Sequence, residues 1–168
     1  NHDADTAIHI QSGMLAYRPA SLTNGGMYVA TDTQDTYFYT NQWLQVGWAH
    51  WYGAWQSSAT QTISAANTAT LMTINQTDVE QGVVLVPATN SFQTNYAGMY
   101  NIQWSGQFNN TSTALQDIYV WIRKNGVDVP GSSGVVSVPN SHGGVDGHII
   151  SAWNYFVQTA AGDTLQLY

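Results

Sequence analysis

Residues that could catalyse a reaction are sparse in this sequence of 168 residues. Histidine is the side chain that most readily transfers a proton near neutral pH, yet none of the five histidines has the spacing of a metal-binding pair, such as His-x-His. There is no cysteine to act as a nucleophile or thiolate ligand. We interpret the histidines as surface or turn residues: His2, His9, His50, His142 and His148.

The acidic residues offer little more. Hydrolysis by acid–base catalysis requires two converging carboxylates, and the candidate pairs are Asp32 with Asp35 and Asp78 with Glu80. Both pairs lie in polar segments, TDTQD and QTDVEQ, that are typical of turns. The sequence has no Gly-x-Ser-x-Gly motif, and GSSG at 131–134 lacks the lysine of a phosphate-binding loop. We therefore predict that the protein is not an enzyme and holds no cofactor or metal ion.

The chain has few charged residues, and most of them are acidic. Only 8% of the residues are charged, and three basic residues against ten acidic ones give a net charge of −7. Without a basic patch the chain cannot neutralise phosphates, so we expect neither nucleic acid nor an anionic membrane surface as a partner. No apolar run approaches the roughly 18 residues that would cross a bilayer.

The segment from Gly98 to Asn125 shows the clearest structural pattern. In its first half Tyr100, Ile102 and Trp104 alternate with polar residues, a period of two that predicts a strand with one buried face. A second alternating run, IYVWIR at 118–123, leads into Asn125-Gly126, whose residue types tolerate positive φ and predict a tight hairpin turn.

Similar short runs recur to the end of the chain. They are separated by Gly, Pro, Asn or Asp, and no helical period interrupts them. We predict further strands at 68–74, 82–87, 134–138, 148–157 and 163–168, preceded by a strand with Ile63 inward. The sequence thus predicts an all-β protein, an antiparallel sandwich or barrel.

The chain divides into three parts by composition. Residues 1–16 are interpreted as an N-terminal linker or arm, and residues 17–48 as a small β-meander with strands MYVA, TYFY and WLQV. Residues 49–168 form the main domain. Three strands of about four residues are marginal alone, so we expect the meander to attach the domain to another surface.

The main domain resembles a known family. YAGMYNIQWSGQ, IYVWIRKNGVDVPGSSG and AWNYFVQTAAGDTLQLY, in this order, are similar to the TNF-like, complement-q-type jelly roll, in the version found in virion proteins of tailed bacteriophages. The resemblance covers about residues 53–168. The stretch GGMYVATDTQDTYFYTNQWLQVG is similar to a meander of phage tail-fibre and other appendage proteins, and NHDADTAIH to a linker phrase of phage fibres.

The resemblance implies a homotrimeric, non-enzymatic structural protein on the surface of a virion, an extracellular particle. It is expected to be a tail fibre, a similar appendage or a capsid decoration, contacting other virion proteins and, in an appendage, the host surface. It also implies a further strand after Tyr168. Candidate trimer-interface residues, on the face opposite the predicted core, are Tyr119, Trp121 and Arg123; candidate attachment residues are Tyr28, Tyr37, Tyr39, Trp43 and Trp48.

The many aromatic residues leave a second function open. Seven tryptophans and ten tyrosines could form a carbohydrate-binding module, because sugar rings stack on aromatic faces while Asn, Gln and Asp bond the hydroxyls. A host-surface glycan would then be the partner. The candidate ligand residues are Trp51, Trp55 and Asp146, the last in the glycine-rich loop SHGGVDGH, where a bound cation is a further alternative.

Overall fold

The structure is a computed structural model that describes residues 10–22, 24–47, 51–63 and 65–168. The chain forms two compact units, residues 1–51 and residues 52–168. Apart from one short 3-10 helix, Leu15–Tyr17, the regular structure of the described residues is entirely β-strand. Within these residues, no helix is long and apolar enough to span a membrane.

The first unit is a four-stranded sheet. Its strands, in spatial order, are β1 (Ile10–Gly13), β2 (Met27–Ala30), β3 (Thr36–Tyr39) and β4 (Trp43–Gly47). Strands β2, β3 and β4 are the three predicted strands of the meander, and they pair antiparallel. The predicted linker supplies the fourth strand, because Ile10–Gly13 pairs parallel with β2. Residues 1–9 of that segment lie outside the described residues.

The second unit contains eleven strands within its described residues. They are β5 (Tyr52–Gln56), β6 (Gln76–Gln81), β7 (Val83–Val86), β8 (Ser91–Thr94), β9 (Gly98–Asn110), β10 (Gln116–Val120), β11 (Ile122–Lys124), β12 (Val127–Asp128), β13 (Gly134–Val138), β14 (Gly147–Thr159) and β15 (Thr164–Leu167).

Two layers of these strands enclose a core. One layer is a five-stranded sheet in the order β12-β11-β15-β8-β7, and the other is the long antiparallel ribbon of β9 and β14. Ile122 and Leu165 from the sheet pack with Val157 from the ribbon, and each is at most 4% exposed. Two smaller antiparallel pairs, β10 with β13 and β5 with β6, complete the unit. The predicted all-β, antiparallel sandwich class is confirmed.

The alternation predicted for the first half of the Gly98–Asn125 segment is also confirmed, whereas the strand predicted at 118–123 is divided at Trp121 into β10, which pairs with β13, and β11 of the five-stranded sheet. In β9 the residues Tyr100, Ile102 and Trp104 are more buried than the polar residues between them. Trp104 packs edge to face against Trp153 of β14, its direct cross-strand neighbour, with ring centroids 4.6 Å apart. The predicted hairpin turn lies at Asn125 and Gly126, whose φ angles are 51° and 80°.

Three local predictions were wrong. Ile63 is 50% exposed rather than inward, and the predicted strand at 68–74 is not a strand. Side-chain amides bond much of its backbone instead: Gln61 donates to Leu71 O and accepts from Thr73 N, and Asn90 bonds the backbone of Ile74. Met72 N also donates to Leu167 O of β15, but the segment forms no strand ladder with β15.

The third error concerns Asp78 and Glu80. The sequence predicts a turn for these residues, whereas they lie in strand β6, which pairs with β5. All six β6 side chains are exposed, so the strand has no buried face whose alternating apolar residues could reveal it in the sequence.

Candidate functional site

A group of aromatic and charged side chains lies on the outer face of the five-stranded sheet. Val120 and Ile122 are each 1% exposed and point into the sandwich. Successive side chains of an extended chain point to opposite faces, so Trp121 and Arg123 point outward. Together with Asp128 and Tyr168 they form what we call the Trp121 cluster.

The hairpin turn brings Asp128 into this cluster. Because the loop contains just Asn125 and Gly126, Arg123 of β11 lies directly opposite Asp128 of β12. Arg123 Nε donates to Asp128 Oδ1 at 2.6 Å, and Trp121 Nε1 donates to the same oxygen at 2.8 Å.

These bonds set the charge of the carboxylate. The hydrogen bond from Arg123, reinforced by the one from Trp121, lowers the pKa of Asp128 below its ordinary value. The same contact with Asp128, together with a hydrogen bond to Tyr168, raises the pKa of Arg123. Asp128 therefore stays ionised near neutral pH and is suited to accepting hydrogen bonds rather than to donating a proton.

Tyr168 joins the cluster through the backbone and through its ring. Trp121 and Tyr168 exchange two backbone hydrogen bonds of 3.0 Å, which continue the β11–β15 ladder. Their rings stack with centroids 5.8 Å apart and an angle of 22° between planes. The guanidinium carbon of Arg123 lies 4.0 Å from the centre of the Tyr168 ring. Each side chain of the cluster is thus held by at least one other.

The aromatic surface extends along the chain to Tyr119 in β10. This residue shares the outward face of Trp121, is 60% exposed, and lies opposite Val135 of β13, which is 58% exposed. Beyond it, Ser137 donates to the carboxylate of Asp117 at 2.6 Å. The face therefore carries two outward aromatic residues at alternate positions, Tyr119 in β10 and Trp121 between β10 and β11, flanked by carboxylates that accept hydrogen bonds.

A second exposed surface lies on the opposite side of the sandwich. The outward side chains of β9 and β14 include Met99, Ile150 and Phe156, which are 61%, 74% and 59% exposed. Neither strand contains an Asp, Glu, Lys or Arg residue. We call this surface the β9–β14 outer face.

The predicted attachment residues form the interior of the first unit. Tyr28 and Tyr37 are buried, and Trp43 packs edge to face against both Tyr28 and Tyr39. Arg18 lies over the rings of Tyr37 and Trp43, 4.3 and 5.2 Å from their centres. Burial, followed by the nearby Asp35 carboxylate, raises the pKa of Tyr37. These side chains hold the meander together, while Trp48 lies outside the described residues.

The predicted ligand residues are engaged in separate contacts. The Trp55 ring lies 4.6 Å from Phe92, and its Nε1 donates to Glu80 at 2.7 Å. Asp146 accepts a hydrogen bond from Asn109 at 3.0 Å, and Trp51 is half-buried. Trp55 is therefore engaged in packing and hydrogen bonding within the chain.

The acidic pairs have structural partners as well. Glu80 accepts from the backbone N–H of Leu85, then from Trp55, and these bonds lower the pKa of its carboxyl group. Asp78 accepts from Gln56, and Asp35 from Gln45. Asp32 accepts from the backbone N–H of Leu15 at 2.8 Å. Among residues 10–22, 24–47, 51–63 and 65–168, no group of three His, Asp or Glu residues could hold a metal ion.

Sequence reasoning named Trp121 and Arg123 but missed Asp128 and Tyr168 as their neighbours. Asp128 could have been found, because a two-residue turn at Asn125-Gly126 places residue 123 opposite residue 128. Tyr168 could not, since its pairing with Trp121 joins positions 47 residues apart and depends on the sheet order.

No protein-family model matches the chain, and no curated protein sequence matches it.

Proposed function

We propose that the chain is a non-enzymatic structural protein on the surface of a tailed-phage virion, and that residues 52–168 form a jelly roll that assembles as a homotrimer. The motif order described above supports the virion assignment. The β9–β14 outer face supports the self-association, and it is the single observation on which the proposal depends most.

The physical argument concerns charge and apolar surface. A chain with a net charge of −7 repels its own copies. A surface without charged residues allows two copies to approach with the least repulsion, and exposed Met99, Ile150 and Phe156 gain free energy when they leave water. Trp121 and Arg123, the interface candidates from the sequence, already bond within one chain. We therefore place the interface on the β9–β14 outer face.

The mass of the protein in solution tests the self-association. We expect light scattering after size exclusion to give three times the mass of the chain at micromolar concentration. Phe156→Asp should shift this mass toward that of one chain, because it buries a carboxylate in an apolar contact. Leu115→Asp introduces the same charge at a position that is 59% exposed outside this face, and should leave the mass unchanged. A wild-type monomer would contradict the trimer.

The position of the protein on the particle tests the virion assignment. Antibody labelling of purified particles of the phage that encodes the chain should place it on a tail appendage or on the capsid. An appendage would bring the protein to the host surface, whereas a capsid position would assign it to decoration. Particles without the protein would overturn the assignment.

A further inference from the structure

We infer that the Trp121 cluster, together with Tyr119, is a binding site for a neutral oligosaccharide. The inference goes beyond the proposed function, because it concerns a ligand of the single chain and the opposite side of the sandwich. It holds whether the protein sits on an appendage or on the capsid.

The first argument is the shape of the aromatic surface. Tyr119 lies in β10 and Trp121 between β10 and β11, and they alternate with the buried Val120 and Ile122, so both side chains point outward from backbone positions about 6–7 Å apart. Tyr168 lies beside Trp121 in a stacked arrangement. The negative face of an aromatic ring attracts the weakly positive C–H groups of a pyranose ring. The Tyr119 ring, which is 60% exposed, and the part of the Trp121 ring that Tyr168 does not cover can each contact a sugar unit of an extended chain.

The second argument is the polar groups at the edge of this surface. Trp121 and Arg123 both donate to Oδ1 of Asp128, so these bonds leave Oδ2 to accept from another donor, and the Asp128 side chain is 62% exposed. A carboxylate accepts bonds from sugar hydroxyls, and the guanidinium beside it donates to hydroxyl oxygens. Aromatic stacking and directed hydrogen bonds are the two contacts that a pyranose ring needs.

The third argument is preorganisation. The contacts within the cluster fix the Trp121 indole, the Arg123 guanidinium and the Asp128 carboxylate before any ligand arrives. The entropy of ordering these side chains is therefore not lost again on binding, which favours affinity for a weakly interacting ligand.

Charge selects among sugars. Arg123 and Asp128 neutralise each other within the cluster, and the chain as a whole carries a net charge of −7. An acidic oligosaccharide would meet a repulsive field without a free cation to offset it. The binding of neutral sugars is not weakened by this repulsion.

Binding measured with defined neutral hexasaccharides tests the inference. The full chain would be titrated with cellohexaose, maltohexaose and N-acetylchitohexaose, and with hexagalacturonate as the acidic probe, by calorimetry and tryptophan fluorescence. We expect at least one neutral probe to bind with a Kd below about 10 mM and more tightly than hexagalacturonate.

Variants locate the site. Trp121→Ala and Asp128→Ala should each weaken binding by about tenfold or more, as removal of a central contact does. Tyr119→Ala, at an exposed position, should weaken it by about threefold to tenfold and remains informative if Trp121→Ala does not fold. Tyr52→Ala is the matched control, because it removes an aromatic ring that is 49% exposed in β5, outside both the Trp121 cluster and the β9–β14 outer face, and should leave the Kd unchanged.

The outcomes separate this inference from the proposed function. Absence of binding to all three neutral hexasaccharides, or binding that Trp121→Ala and Tyr119→Ala both leave unchanged, would overturn the site. Neither result alters the mass expected for the trimer. Conversely, a monomeric protein that binds a neutral hexasaccharide through Trp121 would support the site and contradict the trimer.

Discussion

Asn125 stabilises the turn that brings Asp128 to Arg123. It adopts positive φ, its Nδ2 donates to Asp163 at 2.7 Å, and its Oδ1 accepts from the backbone N–H of Thr164 at 2.8 Å. One side chain thus links the β11–β12 turn to the start of β15. The geometry of the Trp121 cluster depends on this link as much as on the cluster's own contacts.

A substitution at Gly126 should measure the energetic cost of the turn's backbone conformation, because it introduces no steric clash. Its φ is +80°, and a Cβ at this position would meet nothing within 4 Å. We expect Gly126→Ala to lower the free energy of unfolding by about 1–2 kcal/mol, because L-residues disfavour positive φ. Urea denaturation measures this change.

The control is Gly98→Ala in β9. A Cβ there lies 3.7 Å from the Tyr100 ring, an ordinary contact, and φ is not in the left-handed region. This variant should be nearly neutral. Equal losses in the two variants would show that backbone conformation is not the cause.

Asp163 gives stability a defined dependence on pH. The hydrogen bond from Asn125, then that from the backbone N–H of Ala160, and the nearby Lys124 lower the pKa of its carboxyl group. A group whose pKa is lower in the folded state contributes stability above its unfolded pKa, about 3.9 for Asp. That contribution is lost as pH falls through the folded-state pKa.

We therefore expect the free energy of unfolding to fall between about pH 5 and the folded-state pKa of Asp163. Asp163→Asn should be less stable than the wild type at pH 7, and the difference should shrink toward pH 3. Urea denaturation across this range measures it. A difference that is the same at both ends would exclude the linkage.

At the scale of the elements, Gly134 shows how β13 fits against the ribbon. A Cβ at this position would overlap the six-membered ring of Trp153 in β14. We expect Gly134→Ala to cost about 1–3 kcal/mol, because the Trp153 indole and its partner Trp104 must move in a packed interior. Ser133→Ala, at an exposed neighbouring position, should have little effect on the urea midpoint and serves as the control.

The elements found from the sequence are those whose signal is local. The alternation of Tyr100, Ile102 and Trp104 indicates the buried face of β9. Asn125-Gly126 indicates a turn because both residue types tolerate the positive φ that they adopt there. Strand β6 has no buried face, so the pattern around Asp78 carried no strand signal. The apolar run at 68–74 favoured a strand, but the side-chain amides of Gln61 and Asn90 bond much of its backbone and no strand ladder forms there.

The residues of the candidate site likewise divide into those that local sequence predicts and those that depend on pairing between distant segments. The outward position of Trp121 and Arg123 follows from the alternation of residues at 118–123, and this alternation is visible in the sequence. Their contact with Tyr168 requires that β15 lie beside β11, and pairing between distant segments leaves no short-range pattern. Local residues could therefore be predicted, and the completed cluster could not.

At the scale of the whole molecule, all three basic residues are used within the chain. Arg18 lies over Tyr37, Arg123 pairs with Asp128, and Lys124 Nζ lies 3.8 Å from Asp163. The remaining carboxylates give the surface a negative field without a strong positive patch. Copies of the chain would accordingly meet the least repulsion at surfaces that carry no charge.

Salt should therefore not dissociate the proposed trimer. The β9–β14 outer face would associate by burying apolar area, which ions screen little, and salt weakens the repulsion between the negative copies. We expect the mass measured by sedimentation to stay the same, or the trimer to tighten, between about 0.05 and 1 M NaCl. Dissociation at high salt would point to an ion-paired interface instead.

The long β9–β14 ladder has a mechanical consequence. It joins thirteen residue pairs, with Gly98 opposite Thr159 at one end and Asn110 opposite Gly147 at the other. Tension between Gly98 and Gly147 slides the two strands past each other, so all the interstrand hydrogen bonds share the load. Tension between Gly98 and Thr159 opens the same bonds one after another. The ribbon therefore resists pulling along its length far better than peeling from one end.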